Sequence, residues 1–307
     1  MLEGVMISVI IPTHKRADLL AYELERIYMQ KGVDFEVIVV NDIVEADKTD
    51  SIVERFPGII YIKDDKIQGP SNKHKAGFSL SKGEYLYMPD DDDYLTDEYF
   101  FKKAVDKLRE DEKLAFVSGN VAISHEFQDK ARNFIKNTQI NILGRINGAK
   151  YLQGFQSRLQ KPYSTVSTIY RKKAFVEMGA NEMQEMSDSS MYMLALLWGD
   201  AYILKEVVAV YRIRESSLTS NASYSFMMNV IEQKEKLYFL SKNRINNPSK
   251  FWYNQFRVSY NFFPDKSIDN RLKMINWGIM HAHGSVYMYI FCFVQFLKLH
   301  LKRIRIS

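Results

Sequence analysis

From Ile7 to Ile123 short β-branched runs alternate with stretches at helical spacing, and this alternation restricts the chain more than any other feature. Ile7-Ser-Val-Ile-Ile-Pro12 reads as a buried strand ending in a loop. Ala17 to Lys31 places Leu20, Leu24, Ile27 and Tyr28 at helical spacing and stops at Gly32. Phe35 to Val40 is a second strand, ending at Asn41-Asp42, and Asp50 to Phe56 is a short helix. Ile59 to Ile62 is a third strand. Ser71 to Ser81 is a helix with Ser71 as its N-cap. Glu84 to Met88 is a fourth strand, Tyr99 to Arg109 a helix, and Leu114 to Ile123 again extended. The pattern predicts an α/β fold with a mostly parallel central sheet covered on both faces. Such sheets bind ligands at the carboxyl ends of their strands.

Two acidic features fall on that edge. Asp42 follows the second strand, and Met88-Pro-Asp-Asp-Asp-Asp-Tyr94 follows the fourth. Four adjacent carboxylates repel one another, so a folded loop needs something to offset the repulsion. Hard oxygen ligands suit Mg²⁺ or Mn²⁺, and such an ion can clamp a diphosphate leaving group. The rival reading is a solvated acidic turn, which the strand-end position disfavours. Pro12-Thr13-His14-Lys15-Arg16 supplies a helix N-terminus and cations after the first strand, which suits a diphosphate. Asp42 there can accept hydrogen bonds from a base or ribose, although an Asp after a strand is also common turn chemistry. No GxxxxGK(S/T) loop is present and no GxGxxG follows the first strand, which argues against an ATPase or a dinucleotide-dependent dehydrogenase.

Beyond the alternating region, residues 125–162 are polar with scattered glycines and read as loops and short helices, a mobile lid over an acceptor. Lys172 to Gly179 and Ser187 to Gly199 look helical, Ala201 to Arg212 extended, and the chain from Ser223 onward helical. Of 307 residues, 46% are hydrophobic and 26% charged, as in a globular chain. The net charge of +5 is concentrated at the end: after Asp269 there is no acidic residue, but Arg271, Lys273, Lys298, Lys302, Arg303 and Arg305 are present. Val286 to Leu299 is almost wholly apolar, yet shorter than the roughly 20 residues of a spanning helix. With the cations after it, the segment reads either as an interfacial helix on an anionic membrane or as a core helix. A single cysteine, Cys292, forbids an internal disulfide and fits a cytoplasmic setting, and Met1 to Met6 does not read as a signal peptide. His281 and His283 are read as lying on different helix faces without Cys or Asp neighbours, so a zinc site is not expected there.

Ser8 to Arg16, Glu36 to Asp42, Gly69-Pro-Ser71, Gly77 to Tyr85 and Met88 to Tyr94 occur in the order and spacing of glycosyltransferase family 2, which residues 6–215 resemble. The resemblance implies a GT-A fold, followed by a C-terminal helical extension. It thus implies a transferase domain over 1–215 and a helical region over 216–307. It implies inverting transfer of a sugar from a nucleotide-sugar, with Mn²⁺ or Mg²⁺ as cofactor. By the same resemblance Pro12, Thr13, Arg16 and Asp42 hold the nucleotide, Asp90 and Asp92 bind the metal, and Asp90 and Asp91 are expected to bind the nucleotide-sugar. The family's Glu-Asp pair appears here as Ser187-Asp188, making Asp188 the expected general base, with Glu182 and Glu185 as rivals. Ser187 as N-cap and Asp188 in the first turn also complement the helix dipole, and both roles can hold together.

Three positions depart from the family pattern. Lys73-His74-Lys75 replaces Ala-Arg-Asn, so His74 or Lys75 is expected to take over a phosphate contact. Ser187 replaces the glutamate. Arg214 stands where relatives carry a metal-binding histidine and suits a diphosphate instead. The expected acceptor is a surface polysaccharide or a lipid-linked glycan, at the inner face of the cytoplasmic membrane, without nucleic acid. The departures also leave open a nucleotide-sugar-binding module without catalysis. A metal-dependent nucleotidyltransferase is the third reading.

Overall fold

The computed structural model describes residues 6–43, 47–127, 130–214, 221–265 and 267–306; the side chains of residues 126, 127, 130–136, 305 and 306 are not part of that description. The chain divides into two compact units, Met1–Gly148 with Lys161–Arg214, and Ala149–Gln160 with Glu215–Ser307. The division expected between 215 and 216 falls outside the described residues.

In the first unit, β1 (Ile7–Thr13), α1 (Ala17–Tyr28), β2 (Phe35–Asn41), α2 (Thr49–Val53), β3 (Ile60–Lys63), α3 (Pro70–Leu80) and β4 (Tyr85–Tyr87) follow the expected alternation. These four strands are parallel, β1 lying between β2 and β4 and β2 pairing with β3. Then come β5 (Tyr94–Leu95), α4 (Phe100–Glu110), β6 (Leu114–Phe127), β7 (Lys130–Asn137), β8 (Gly144–Ile146), β9 (Thr168–Arg171), α6 (Lys172–Glu177), α7 (Asp188–Trp198) and β10 (Asp200–Arg214), while α5 (Gly148–Gly154), between β8 and β9 in the chain, belongs almost wholly to the second unit. The sheet runs β3-β2-β1-β4-β9-β6-β10-β5, with β7 on β6 and β8 on β10. β9 is antiparallel to both β4 and β6, while β10 runs parallel to β6. The core beneath it is built from the inward residues of the strands and of α1 and α4, among them Val9, Ile11, Leu24, Val39, Tyr87, Phe101 and Val117. Gly77 brings α3 down onto β1, since a Cβ there would overlap Ile10 Cγ2.

In the first unit two expectations need correction. Residues 125–162 are not mainly loops: β6 continues to Phe127 and pairs antiparallel with β7, and β8 and α5 follow. A polar stretch such as Lys130–Asn137 joins a sheet because its backbone ladder is completed by β6, a pairing that apolar periodicity does not report. Ser71 is not the cap of α3. Gly69, at φ 77°, holds the cap position, and Ser71 sits within the helix. Its hydroxyl donates to Glu185 and accepts from the Met186 N–H, 3.0 Å away.

The second unit contains α8 (Tyr224–Ser241), α9 (Pro248–Phe262), α10 (Ile268–Met280) and α11 (Val286–Ile306), as the helical reading of this region expects. Phe251, Trp252 and Phe256 are fully buried within it. The buried Arg271 guanidinium caps the end of α9 by donating to the carbonyls of Tyr260, Phe263 and Asp265. His281 and His283 are not on two faces of a helix: they lie in the turn between α10 and α11.

Candidate active site

Because β1, β2 and β4 are parallel, their carboxyl ends lie on one edge, and Thr13, Asp42 and the carboxylate run lie there. Thr13 ends β1 in register with Asn41, and Asp42 follows directly. The carboxylate run occupies the link from β4 to β5.

The four carboxylates are not equivalent. Asp91 is buried and turned inward: it accepts from Thr13 Oγ1 at 2.7 Å and from Arg16 Nη1 at 2.9 Å. The same Arg16 nitrogen reaches Asp92 Oδ2 at 3.0 Å. Asp93 is also buried, accepting from Ser164 Oγ at 2.7 Å and from the Arg212 backbone N–H at 2.8 Å. Arg212 itself lies over the rings of Tyr94 and Tyr22, 4.6 and 5.2 Å from their centroids. Part of the repulsion is therefore offset by the protein, through Arg16 and through donors to Asp91 and Asp93. Asp90 is different. Among the described residues no donor hydrogen-bonds to its carboxylate. Burial drives its pKa well above the usual range, followed by the charges of Asp188, Asp92, Asp93 and Asp91. Asp90 and the Asp92 oxygen that Arg16 does not hold thus offer hard, under-neutralised ligands, a donor set that fits Mg²⁺ or Mn²⁺.

Asp188 reaches this cluster from the start of α7, where Ser187 is the N-cap and accepts from the Ser190 N–H, as expected. Of the neighbouring charges, that of Asp188 acts most strongly on Asp90. Lys161 Nζ stands 3.5 Å from Asp188 Oδ2. Tyr211, on β10, senses the charges of Asp93, Asp188 and Asp90, which places that strand beside the same cluster.

Lys73 is a site residue that the sequence reading missed. It is buried, and its ammonium donates to the Thr13 carbonyl and to Asp42 Oδ1, both at 2.6 Å. His14 Nδ1 lies 2.8 Å from the same Asp42 oxygen. Burial pushes the Asp42 carboxyl up, but these two partners outweigh it and hold the carboxyl below its ordinary value. The only available sign of Lys73 was a cation in the first turn of α3, which does not distinguish an inward side chain from an outward one. His74 is buried with neither ring nitrogen hydrogen-bonded, and burial lowers its pKa to about 4 against the pull of Asp188 and the Pro89 backbone. It is therefore neutral at ordinary pH. Lys75 is half-buried, and its charge acts on Glu185. Arg214 ends β10, half-buried. Glu185 is engaged by Ser71, and Glu182 lies in a turn after α6.

A parallel β-α-β edge carrying a carboxylate loop, with a second carboxylate brought in from a later helix, is the arrangement of GT-A glycosyltransferases. The family model described as Glycosyl transferase family 2 matches residues 8–179, more than half of the chain, and the chain belongs to that family of glycosyltransferases. Among curated proteins, the GalNAc(5)-diNAcBac-PP-undecaprenol beta-1,3-glucosyltransferase of Campylobacter jejuni is 29% identical over 240 residues, 71% of this chain and 68% of that protein. An uncharacterized glycosyltransferase of Haemophilus influenzae is 34% identical over 91 residues, a match spanning only 30% of its length. The succinoglycan biosynthesis protein ExoO of Rhizobium meliloti is 29% identical over 89 residues, 25% of its length. Solved structures confirm the fold. S. aureus TarS 1-349 superposes with TM-score 0.63 at 16% identity, covering 89% of this chain and 78% of that one. The mannosyltransferase PcManGT of Pyrobaculum calidifontis, in complex with GDP-Man and Mn²⁺, gives 0.53 at 16% identity, covering 96% and 80%.

Proposed function

We propose that this glycosyltransferase inverts the anomeric centre as it moves a sugar from a nucleoside-diphosphate sugar, a UDP-sugar, to a hydroxyl of a lipid-linked or surface glycan. The observation that carries this reading is the convergence of Asp188 on Asp90 at the strand edge. An inverting transfer needs a carboxylate facing the leaving diphosphate from the acceptor side, and Asp188 is the acid brought there. TarS has been solved with UDP and with UDP-GlcNAc, which supports the donor class. The Campylobacter relative, by its name, extends an undecaprenol-linked glycan, which supports the acceptor class.

In this reading Pro12, Thr13 and Arg16 line the nucleotide and Asp42 accepts from its base or ribose. Lys73 and His14 hold the Asp42 carboxylate ionised and aimed. Asp91 acts through Thr13 and Arg16, fixing both. Lys75 and Arg214 are the cations for the diphosphate, and the neutral, buried His74 stands within the electrostatic reach of Asp188. Mn²⁺ or Mg²⁺ held by Asp90 and Asp92 would neutralise the diphosphate and stabilise it as a leaving group. Asp188 accepts the acceptor hydroxyl's proton as the new C–O bond forms and the bond to the diphosphate breaks. Lys161 stands beside Asp188 throughout.

The test is donor hydrolysis with Mn²⁺ and a panel of nucleotide-sugars, read as released nucleoside diphosphate. Wild type should release it and Asp90→Ala should not. Equal release by both proteins would remove Asp90 from the reaction, and release of pyrophosphate would point instead to nucleotidyl transfer.

α11 supplies the acceptor's setting in this proposal. Among the described residues no helix is long and apolar enough to cross a membrane. Yet Val286, Ile290, Phe293, Leu301 and Ile304 on α11 are each at least 59% exposed, and Lys298, Lys302 and Arg303 are exposed on the same helix. The Arg305 side chain lies outside the described residues. Apolar side chains flanked by cations match an anionic lipid surface by both hydrophobicity and charge, so the helix would rest on the membrane that carries a lipid-linked acceptor.

A further inference from the structure

We propose that the helical unit contains a second metal site, for a zinc-class ion, formed by Glu235, His281 and His283. These residues are distant from the carboxylate loop in sequence and play no part in the transfer reaction proposed above.

The fold gathers them from three places. Glu235 comes from the inner part of α8. His281 is the residue that closes α10, and His283 follows in the turn before α11. His281 Nδ1 lies 2.8 Å from Glu235 Oε1, and His283 Nε2 lies 2.5 Å from the same oxygen. All three ligand atoms fall within 4.8 Å of one another. Ligand atoms around a tetrahedral zinc stand ~3.3 Å apart, given Zn–N and Zn–O bonds of about 2.0–2.1 Å. Small side-chain rotations would open the present distances to that value.

The turn itself is organised to deliver both imidazoles. His283 has φ 49° and Gly284 φ 75°, two successive left-handed residues. A left-handed histidine is uncommon and needs surroundings that hold it. His281 is stacked on Trp277, 3.9 Å between centroids and 7° between planes. Trp252 Nε1 donates to the His281 carbonyl at 2.7 Å. His283 stacks on Tyr238 at 5.5 Å and 20°. Stacking thereby restricts the orientation of both rings. Two imidazoles and one carboxylate form the borderline donor set that zinc favours and that Mg²⁺ does not. Both histidines remain partly exposed, with side chains 36% and 26% accessible, so a water can complete the shell. A bound ion would tie α8 to the α10–α11 turn and set the direction in which α11 leaves it.

The competing arrangement is a plain hydrogen-bonded pair, in which two imidazoles donate to one carboxylate oxygen and no ion binds. Zinc titration of the full chain, freed of metal by chelation, separates the two. Mn²⁺ is kept in excess so that the carboxylate loop is masked. Wild type should bind one equivalent of Zn²⁺, and Co²⁺ in its place should give the visible absorption of a tetrahedral site. His283→Asn retains a residue that tolerates the left-handed backbone, and Glu235→Gln preserves shape. Each should weaken Zn²⁺ binding at least tenfold while far-ultraviolet circular dichroism is unchanged. If His283→Asn does not fold, Glu235→Gln and His281→Gln carry the same comparison. Wild type that binds no Zn²⁺ under masking, or variants that bind it as tightly as wild type, would overturn the site. The Mn²⁺-dependent transfer activity would be unaffected by that outcome.

Discussion

Single side chains divide the labour at the strand edge. Asp188 is the proposed base, and Asp188→Asn should keep the cap geometry while removing proton acceptance. Its expected effect is a fall in kcat of about 10²–10⁴-fold with little change in donor KM, measured by steady-state kinetics. A kcat within a few-fold of wild type would transfer the role to another carboxylate. Glu23, on α1, is fully buried with neither oxygen hydrogen-bonded. Burial, and then the charges of Asp91, Asp93, Asp90 and Asp92, raise its pKa well above 4.5. The folded chain therefore keeps a proton that the unfolded chain releases above about pH 4.5. Stability from this group is complete below that pH and is lost as pH rises toward the folded value. Glu23→Gln should consequently flatten the decline of Tm with rising pH, a comparison that thermal melts from pH 5 to 8 make directly. A variant melting curve that falls with pH as steeply as wild type's would show that Glu23 does not carry the effect.

At the level of elements, strand ends and helix starts convert sequence neighbours and strangers alike into one site. The parallel order β2-β1-β4 brings Asp42, Thr13 and the carboxylate run together, and α7 adds Asp188. Much of this was legible beforehand. The β-branched runs marked the strands, and Ser187 before an apolar stretch marked the start of α7. Polar β7 was not legible, because its pairing with β6 supplies hydrogen bonds that its own composition does not advertise. Nor was the inward side chain of Lys73, since a lysine in the first turn of a helix points by packing and not by type. α11 carries its own prediction. Full-length protein should float with vesicles containing anionic lipid and fail to float with neutral ones. Phe293→Glu combined with Leu301→Glu should abolish flotation without lowering solution activity on a soluble acceptor. Equal flotation of the double variant would assign α11 to packing against protein instead.

For the molecule as a whole, ligands that bind the folded chain alone must stabilise it. A nucleoside diphosphate with Mn²⁺ at ~100 times its Kd adds about 2.7 kcal/mol, enough to raise Tm by several degrees. The gain should require both components together and should vanish in Asp90→Ala. A rise with the nucleotide alone, equal in size, would show that the carboxylates do not couple to it through a cation.

The alternation of strands and helices along the chain, the carboxylate loop and the family to which the chain belongs are written in local signals. Each depends on side-chain periodicity, on caps, and on motifs spaced along one stretch of chain. What only the tertiary structure decided is which charges meet. Arg16 neutralises Asp91 and Asp92 but no described donor reaches Asp90; Lys73 turns inward to Asp42; and Glu235 finds two histidines far along the chain. Electrostatic interaction depends on distance in space and on burial, and neither quantity is proportional to separation in sequence.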